Sequence, residues 1–278
     1  MSPSPDEMLT SLRRELTVRE GTIAPFDGAA RMDADSFALK VGDDTRMEWR
    51  RGCGVTVDRG PATHPDTANL FLAGSMTGAI AAQIGLYPFH GSTLEWNGHG
   101  VVLTGPSGAG KSTFAAGLAQ RGYPLLSDDL TLLFEQRGGP LLVLPWMKPL
   151  KLWEDALALT GLPPDARISP AYAKFTVTVP RAERPAPPGA VILLEEGPLA
   201  FERLSSGEAL RVWSQDHYCR TYLATARGWS RADQFADAAE KAAAVPTYRF
   251  TAPRDNASSQ SFAAALDFVE AALNEILS

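Results

Sequence analysis

The stretch FHGSTLEWNGHGVVLTGPSGAGKSTFAAGLAQRGYPLLSDDL, residues 89–130, decides how the rest of the chain is read. Its centre, GPSGAGKST, fits the spacing G-x-x-x-x-G-K-[ST] through Gly105, Gly110, Lys111 and Ser112. Pro106, Ser107, Gly108, Ala109 and Thr113 complete the loop. Glycines let the backbone fold tightly, so that successive N–H groups face phosphate oxygens. The apolar run GVVLT enters the loop and a helical pattern, KSTFAAGLAQRG, leaves it. That places the phosphate against a helix N-terminus, whose dipole favours an anion. Lys111 is expected at the β- and γ-phosphates, and Ser112 is expected to offer its hydroxyl to Mg²⁺. The motif predicts binding of a nucleotide such as ATP and does not by itself name a reaction.

Asp128 follows Lys111 by 17 residues and is followed at once by Asp129. A helix of about eleven residues and a turn at Gly122 leave room for one strand, YPLLSD. That is a minimal crossover, expected to return the strand parallel to GVVLT. Both carboxylates are then expected at the sheet edge that carries the loop, near the terminal phosphate or its metal. Consecutive residues on a strand point to opposite sides, so one acid is expected to face the acceptor and the other the metal or a positioning partner.

Outside this stretch the chain reads as a mixture of strands and helices. DEMLTSLRREL has helical spacing with Asp6 as N-cap; SFALKV, TRMEWRR and GVTVDRG alternate like strands; DTANLFLAGSMTGAIAAQIG reads as a helix. STLEW and GVVLTG flank the turn NGHG as a hairpin. YPLLSDDLTLLFEQRGGPLLVLPW predicts two or three strands with a turn at Gly138-Gly139. PLKLWEDALALTG predicts a short helix with Trp153 and Leu157 on one face, and KFTVTVP and AVILLEEG predict strands. The proline-rich segment between them, 180–189, reads as a candidate flap whose Arg181 and Arg184 are either solvated or a phosphate clamp. The last quarter is mostly helical with one strand, TYRFTAP; its terminal helix lines up Phe262, Leu266, Val269, Leu273 and Ile276. The expected fold class is α/β: a mixed sheet carrying the phosphate loop with flanking helices over residues 86–278, preceded by a small α+β module over 1–85.

Bulk properties narrow the function classes. The 278 residues are 45% hydrophobic with a formal net charge of −6, which suits a globular α/β chain and gives no footprint for nucleic acid. The N-terminal residues lack the apolar core of a signal peptide, and no run approaches a membrane span. A cytoplasmic protein with no membrane partner is expected. Cys53 and Cys219 lie far apart and read as free thiols. His64, His99 and His217 have no motif around them, and no Cys/His grouping indicates zinc.

His90, in FHG, precedes Lys111 by 21 residues. The order His-Gly, hairpin, phosphate loop, helix, Asp-Asp over Phe89–Asp129 resembles the HPr kinase/phosphorylase family, which phosphorylates a serine hydroxyl on a protein. The resemblance implies a core like that family's C-terminal domain and a peptide or small-protein substrate, with self-association as a family expectation. It implies that Asp128 is the general base, that Asp129 is its positioning partner or stands on the metal side with Ser112, and that His90 assists at the reacting phosphate beside Lys111. The family's downstream arginine-bearing signature has no clear counterpart. LPWMKPLKLWEDALALTG stands there instead, and is similar to a divergent branch that includes lasso-peptide kinases acting on ribosomal-peptide precursors. Lys148 and Lys151 either supply the charge of the missing arginine or are surface lysines beside Trp146 and Trp153; Arg167 and Lys174 are weaker candidates. HPr itself, a small metabolite and a non-catalytic nucleotide-binding role remain alternatives.

Overall fold

The computed structural model describes residues 3–136, 139–146, 148–169, 172–215, 220–253 and 258–278. The loop-bearing strand His99–Thr104 lies inside a six-stranded mixed sheet. Its order is Ala200–Arg203, Thr247–Ala252, Pro188–Glu196, His99–Thr104, Ser92–Trp96, Leu125–Ser127. The strands Thr247–Ala252, Pro188–Glu196 and His99–Thr104 run parallel to one another, while Ser92–Trp96 is antiparallel to both its neighbours. The hairpin turn is Asn97-Gly98, with φ of 49° and 83°, the left-handed pair that a two-residue turn requires.

The crossover returns its strand in the expected direction, with one strand in between. Leu125–Ser127 runs in the same direction as His99–Thr104 but is not its neighbour, because the hairpin strand Ser92–Trp96 is inserted between them.

Strand alternation divides the core across this sheet. Val101, Leu103, Ala190 and Ile192 point to the side covered by the helix Lys111–Gln120 and the terminal helix Ser259–Ile276. Val102, Val191 and Leu126 point to the other side, against Val212, Trp213 and Ala238 of the helices Ser206–Gln215 and Arg231–Ala244. The predicted stripe on the terminal helix is buried at Phe262, Leu266, Val269 and Leu273, with Ile276 partly buried beside them. Leu273 is fully buried. Leu273→Ala should therefore cost about 2–5 kcal/mol in urea denaturation, the usual range for a core leucine; a loss below about 1 kcal/mol would contradict this packing.

The first 85 residues supply a five-stranded sheet, Val18–Glu20, Gly54–Asp58, Thr45–Arg50, Ser36–Val41, Ala30–Met32, covered by the helices Pro5–Glu15 and Thr77–Gln83. Leu130, Leu132, Phe134 and Leu144, from beyond residue 86, complete the core beneath it. Ser4, not Asp6, caps the first helix: its Oγ accepts from the Glu7 N–H, and Glu7 accepts from the Ser4 N–H at 2.7 Å. Pro5 fits the first helical position because its missing N–H needs no partner there. The helix expected over residues 66–85 forms as Pro65–Phe71, a π-helical turn Leu72–Met76, and Thr77–Gln83.

Two downstream segments also differ from expectation. PLKLW is a strand, Leu150–Trp153, that pairs with Tyr172–Val177; the helix begins only at Glu154, and Trp153 stands at its cap. The residues Leu150, Lys151, Leu152, Trp153 alternate inward and outward, a period of two that the longer helical reading overlooked. The proline-rich segment is not a flap. Arg181 bridges to Leu125, and the Ala186 and Val143 backbones exchange hydrogen bonds of 2.8 and 3.1 Å. The residues between the prolines keep their N–H groups and tie the segment to two strands. Among the described residues no helix is long and apolar enough to cross a membrane.

Candidate active site

The phosphate loop depends on glycine at three positions with left-handed φ, 138° at Gly105, 81° at Gly108 and 87° at Gly110. At Gly105 a Cβ would stand only 2.7 Å from the Leu194 carbonyl oxygen, so the close passage of loop against strand also excludes a side chain. Pro106, Ser107 and Gly108 are exposed at the mouth, while Ala109 is buried. Gly110 is the N-cap of the helix Lys111–Gln120 and brings no side chain to its first-turn N–H groups. Lys111 is buried and folds over the loop, donating to the carbonyls of Gly105 at 2.8 Å and Pro106 at 3.0 Å. Ser112 and Thr113 are half-buried on the first turn.

Asp128 leaves the end of Leu125–Ser127 and is buried. Its Oδ1 accepts from two hydroxyls, Ser92 Oγ at 2.6 Å and Ser112 Oγ at 2.8 Å. The acid is therefore joined to the phosphate loop through Ser112 and to the hairpin through Ser92. Hydroxyls beneath it fix the strand ends: Thr93 and Thr131 are 2.7 Å apart, and Thr131 donates to the Gly91 carbonyl at 3.1 Å. Ser92 is the site residue that sequence reading missed. Its one signal was its place two residues after His90, entering the hairpin.

Asp129 turns away from its neighbour because its backbone is left-handed, with φ of 66°. That conformation is costly for a residue with a Cβ and tends to persist at functional sites. The divergence of the two acids thus comes from this turn and not from strand alternation, since the strand ends at Ser127. Asp129 Oδ2 pairs with Lys148 Nζ at 2.5 Å, and its Oδ1 lies 4.0 Å from His90 Nδ1. Burial pushes the Asp129 carboxyl up, but the Lys148 ammonium, with smaller help from His90 and Lys151, outweighs burial and holds it below the ordinary carboxylate value.

Lys148 is buried, not a surface lysine, and its carbonyl accepts from Arg181 Nη2 at 2.8 Å. Arg181 is thereby drawn into the wall of the site, while Arg184 is exposed. Burial and then the neighbouring Lys148 lower the pKa of Lys151. Ser112, Asp128, Asp129, Lys148 and Lys151 line one cleft of about 340 Å³.

The other histidines stand apart. His64 caps the helix Pro65–Phe71 through Nδ1, and His99 is exposed in the hairpin turn. Cys53 is an exposed free thiol. His217 and Cys219 lie outside the described residues, as does Gly138 of the expected turn.

The fit for a metal follows from the donors. Among the described residues no three His, Cys, Asp or Glu side chains converge as a ligand set. A hydroxyl and a carboxylate do converge, Ser112 and Asp128, and such hard oxygens suit Mg²⁺ when phosphate oxygens and water complete its shell. Asp129, expected beside Ser112 at the metal, faces Lys148 and His90.

A glycine loop opening a helix from the edge of a mixed sheet, with a strand-end acid bound to the loop's serine, defines a P-loop α/β protein. Residues 75–254 match the family model described as SynChlorMet cassette protein ScmC, and the chain belongs to that family. It is also similar to HPr kinase/phosphorylases, in keeping with the resemblance read from Phe89–Asp129. With that of Pelodictyon phaeoclathratiforme it shares 43% identity over 70 residues, 25% of this chain and 20% of the relative. With that of Lactobacillus acidophilus it shares 51% over 47 residues, 17% of this chain and 15% of the relative. The matches thus span a fifth or less of these two relatives. The structure of the Hpr(Ser) kinase/phosphatase from Coxiella burnetii aligns over 68% of this chain and 92% of that one, at 15% identity and a TM-score of 0.33.

Proposed function

We propose that this chain is an ATP- and Mg²⁺-dependent kinase that transfers the γ-phosphoryl group to a hydroxyl, a serine of a peptide or small protein, with a ribosomal-peptide precursor as the favoured acceptor. Residues 86–278 carry the transfer chemistry in this reading, and residues 1–85 form a supporting module. The observation that carries it is the double hydrogen bond on Asp128, which ties a buried carboxylate to the phosphate loop through Ser112. When bound, ATP with its metal supplies the phosphoryl group and neutralises much of its charge.

The chain's own residues do the rest. Loop N–H groups and Lys111 hold the phosphates, and Ser112 with Asp128 holds the metal side. Among the described residues both hydroxyls bind Oδ1 of Asp128, which leaves Oδ2 to receive the acceptor's proton. Lys148 fixes Asp129, and Asp129 with His90 forms the wall that orients the acceptor.

Incubation with ATP, Mg²⁺ and panels of peptides, HPr and small metabolites tests this reading, with mass spectrometry watching for one added phosphoryl group. If ATP binds and no hydroxyl compound is ever phosphorylated, the kinase reading fails and a nucleotide-binding role stands. Lys111→Ala should weaken ATP binding about tenfold or more, since it removes a charged partner of the phosphates. Unchanged affinity in calorimetry would remove Lys111 from the nucleotide site.

A further inference from the structure

The cleft that holds Asp128 and Asp129 is lined from two parts of the chain. The paired strands Leu150–Trp153 and Tyr172–Val177 bring Lys151, Trp153 and Lys174 to it, with Trp153 opposite Lys174. The helical run before residue 85 brings Phe71, Gly74 and Ser75. Gly74 and Ser75 lie in the π-helical turn Leu72–Met76, where the Thr77 hydroxyl donates to the Leu72 carbonyl at 2.8 Å. Single π-turns inside helices occur frequently at functional sites, and the chemistry above gives this one no task.

Among the described residues that line the cleft, two carry a hydroxyl, Ser75 and Ser112. Ser112 donates its proton to Asp128. Ser75 is half-buried, and its hydroxyl makes no hydrogen bond among the described residues. A helical serine commonly returns its hydroxyl to a backbone carbonyl one turn earlier. Without that bond, the Ser75 oxygen is a free nucleophile in the same cleft as the proton-accepting carboxylate. At about 340 Å³ the cleft is near the lower end of ligand-pocket sizes, so its lining groups surround a space that one small group fills. Charge favours a phosphorylated product there. The lining carries three lysines, Lys148, Lys151 and Lys174, against two aspartates. Lys148 is held by Asp129, and both aspartates attract Lys151 while the other two lysines repel it. A phosphoserine brings about two negative charges to this surplus of one cation.

We propose that the chain transfers the γ-phosphoryl group of ATP to its own Ser75, and that the phosphoserine then closes the cleft to other acceptors. This rests on reading the chain as a kinase. In the step, the Ser75 oxygen forms a bond to the γ-phosphorus and the bond from that phosphorus to the β–γ bridging oxygen breaks. ADP leaves, and the hydroxyl proton passes to Asp128. The new phosphate occupies both the space and the lysine charge that an incoming acceptor would meet. An acceptor already seated keeps Ser75 away from the nucleotide, so the reaction runs when ATP is present and the acceptor is not.

The test incubates the full chain with ATP and Mg²⁺ and no acceptor, and follows the label by intact-mass and peptide mass spectrometry. A single phosphoryl group should appear and map to Ser75, with a first-order rate that does not change with protein concentration. Ser75→Ala should remove the label and Ser75→Thr should retain it. Asp128→Asn should slow labelling about a thousandfold, as for transfer to any other hydroxyl. After the incubation, transfer by the parent to an acceptor found in the panels above should fall about tenfold or more, because the phosphate holds the lysines and fills the cleft. Ser75→Ala should keep the rate it had before the incubation. Label on another residue, or a rate that rises with protein concentration, would overturn the proposal. So would a parent whose later transfer is unchanged once Ser75 is labelled. Transfer to an added acceptor with no label on the chain would sink this inference and leave the kinase reading standing. ATP binding with neither self-labelling nor transfer to any hydroxyl would sink both.

Discussion

Asparagine at position 128 should lower phosphoryl transfer about a thousandfold, the scale of a lost general base, while ATP affinity stays within about twofold of the parent. The amide is the size of the carboxylate, and its carbonyl oxygen can still accept from Ser92 and Ser112, so the junction of loop and hairpin survives. What disappears is the capacity to take up a proton, together with the negative charge on the metal side. Single-turnover transfer and calorimetric ATP binding on the same variant separate the two effects. Full activity in Asp128→Asn would remove Asp128 from that role. Loss of ATP binding as well would place its importance in building the loop instead.

Lys148→Met should have the next largest effect, about a hundredfold in kcat, through misplacement of Asp129. Methionine keeps the length of the side chain and removes the ammonium 2.5 Å from the carboxylate. In the parent, that charge outweighs burial and keeps Asp129 below its ordinary pKa. The stabilisation from the pair is therefore present above the ordinary carboxylate value and lost as pH falls through the lowered native value. Without Lys148, burial acts with little opposition and the carboxyl titrates higher. The acid limb of the pH–rate profile should then move to higher pH, and Lys148→Arg should restore part of the parent profile. A variant with reduced rate and an unmoved acid limb would show that Lys148 acts by some route other than Asp129.

The loop and its acids were legible because each is a local pattern: a glycine spacing, a 17-residue step, a hairpin signalled by Asn-Gly. The strand inserted between loop and acid was not, because sheet order is a long-range property that the spacing alone leaves open. Lys148 illustrates the same limit at one residue. On sequence it stands among prolines and tryptophans like a surface lysine, and only the fold returns it to Asp129, 19 residues earlier. Ser92 offers only its place two residues after His90; its role follows from the pairing of Ser92 with Leu103 at the mouth of the loop strand. The proline count of segment 180–189 pointed to a free loop, yet single residues between the prolines hold it by backbone pairing.

The inserted strand acts as a calliper. With neighbouring strands about 4.8 Å apart, the loop strand and the acid strand are held about 10 Å from each other by the width of one intervening chain. That same chain carries His90 and Ser92 at its leading end. A slip of the hairpin by two residues would preserve its hydrophobic pattern and still carry both groups about 7 Å along the sheet. The jaw setting of the whole site is thus stored in the register of one short hairpin, whose second strand runs directly into the phosphate loop.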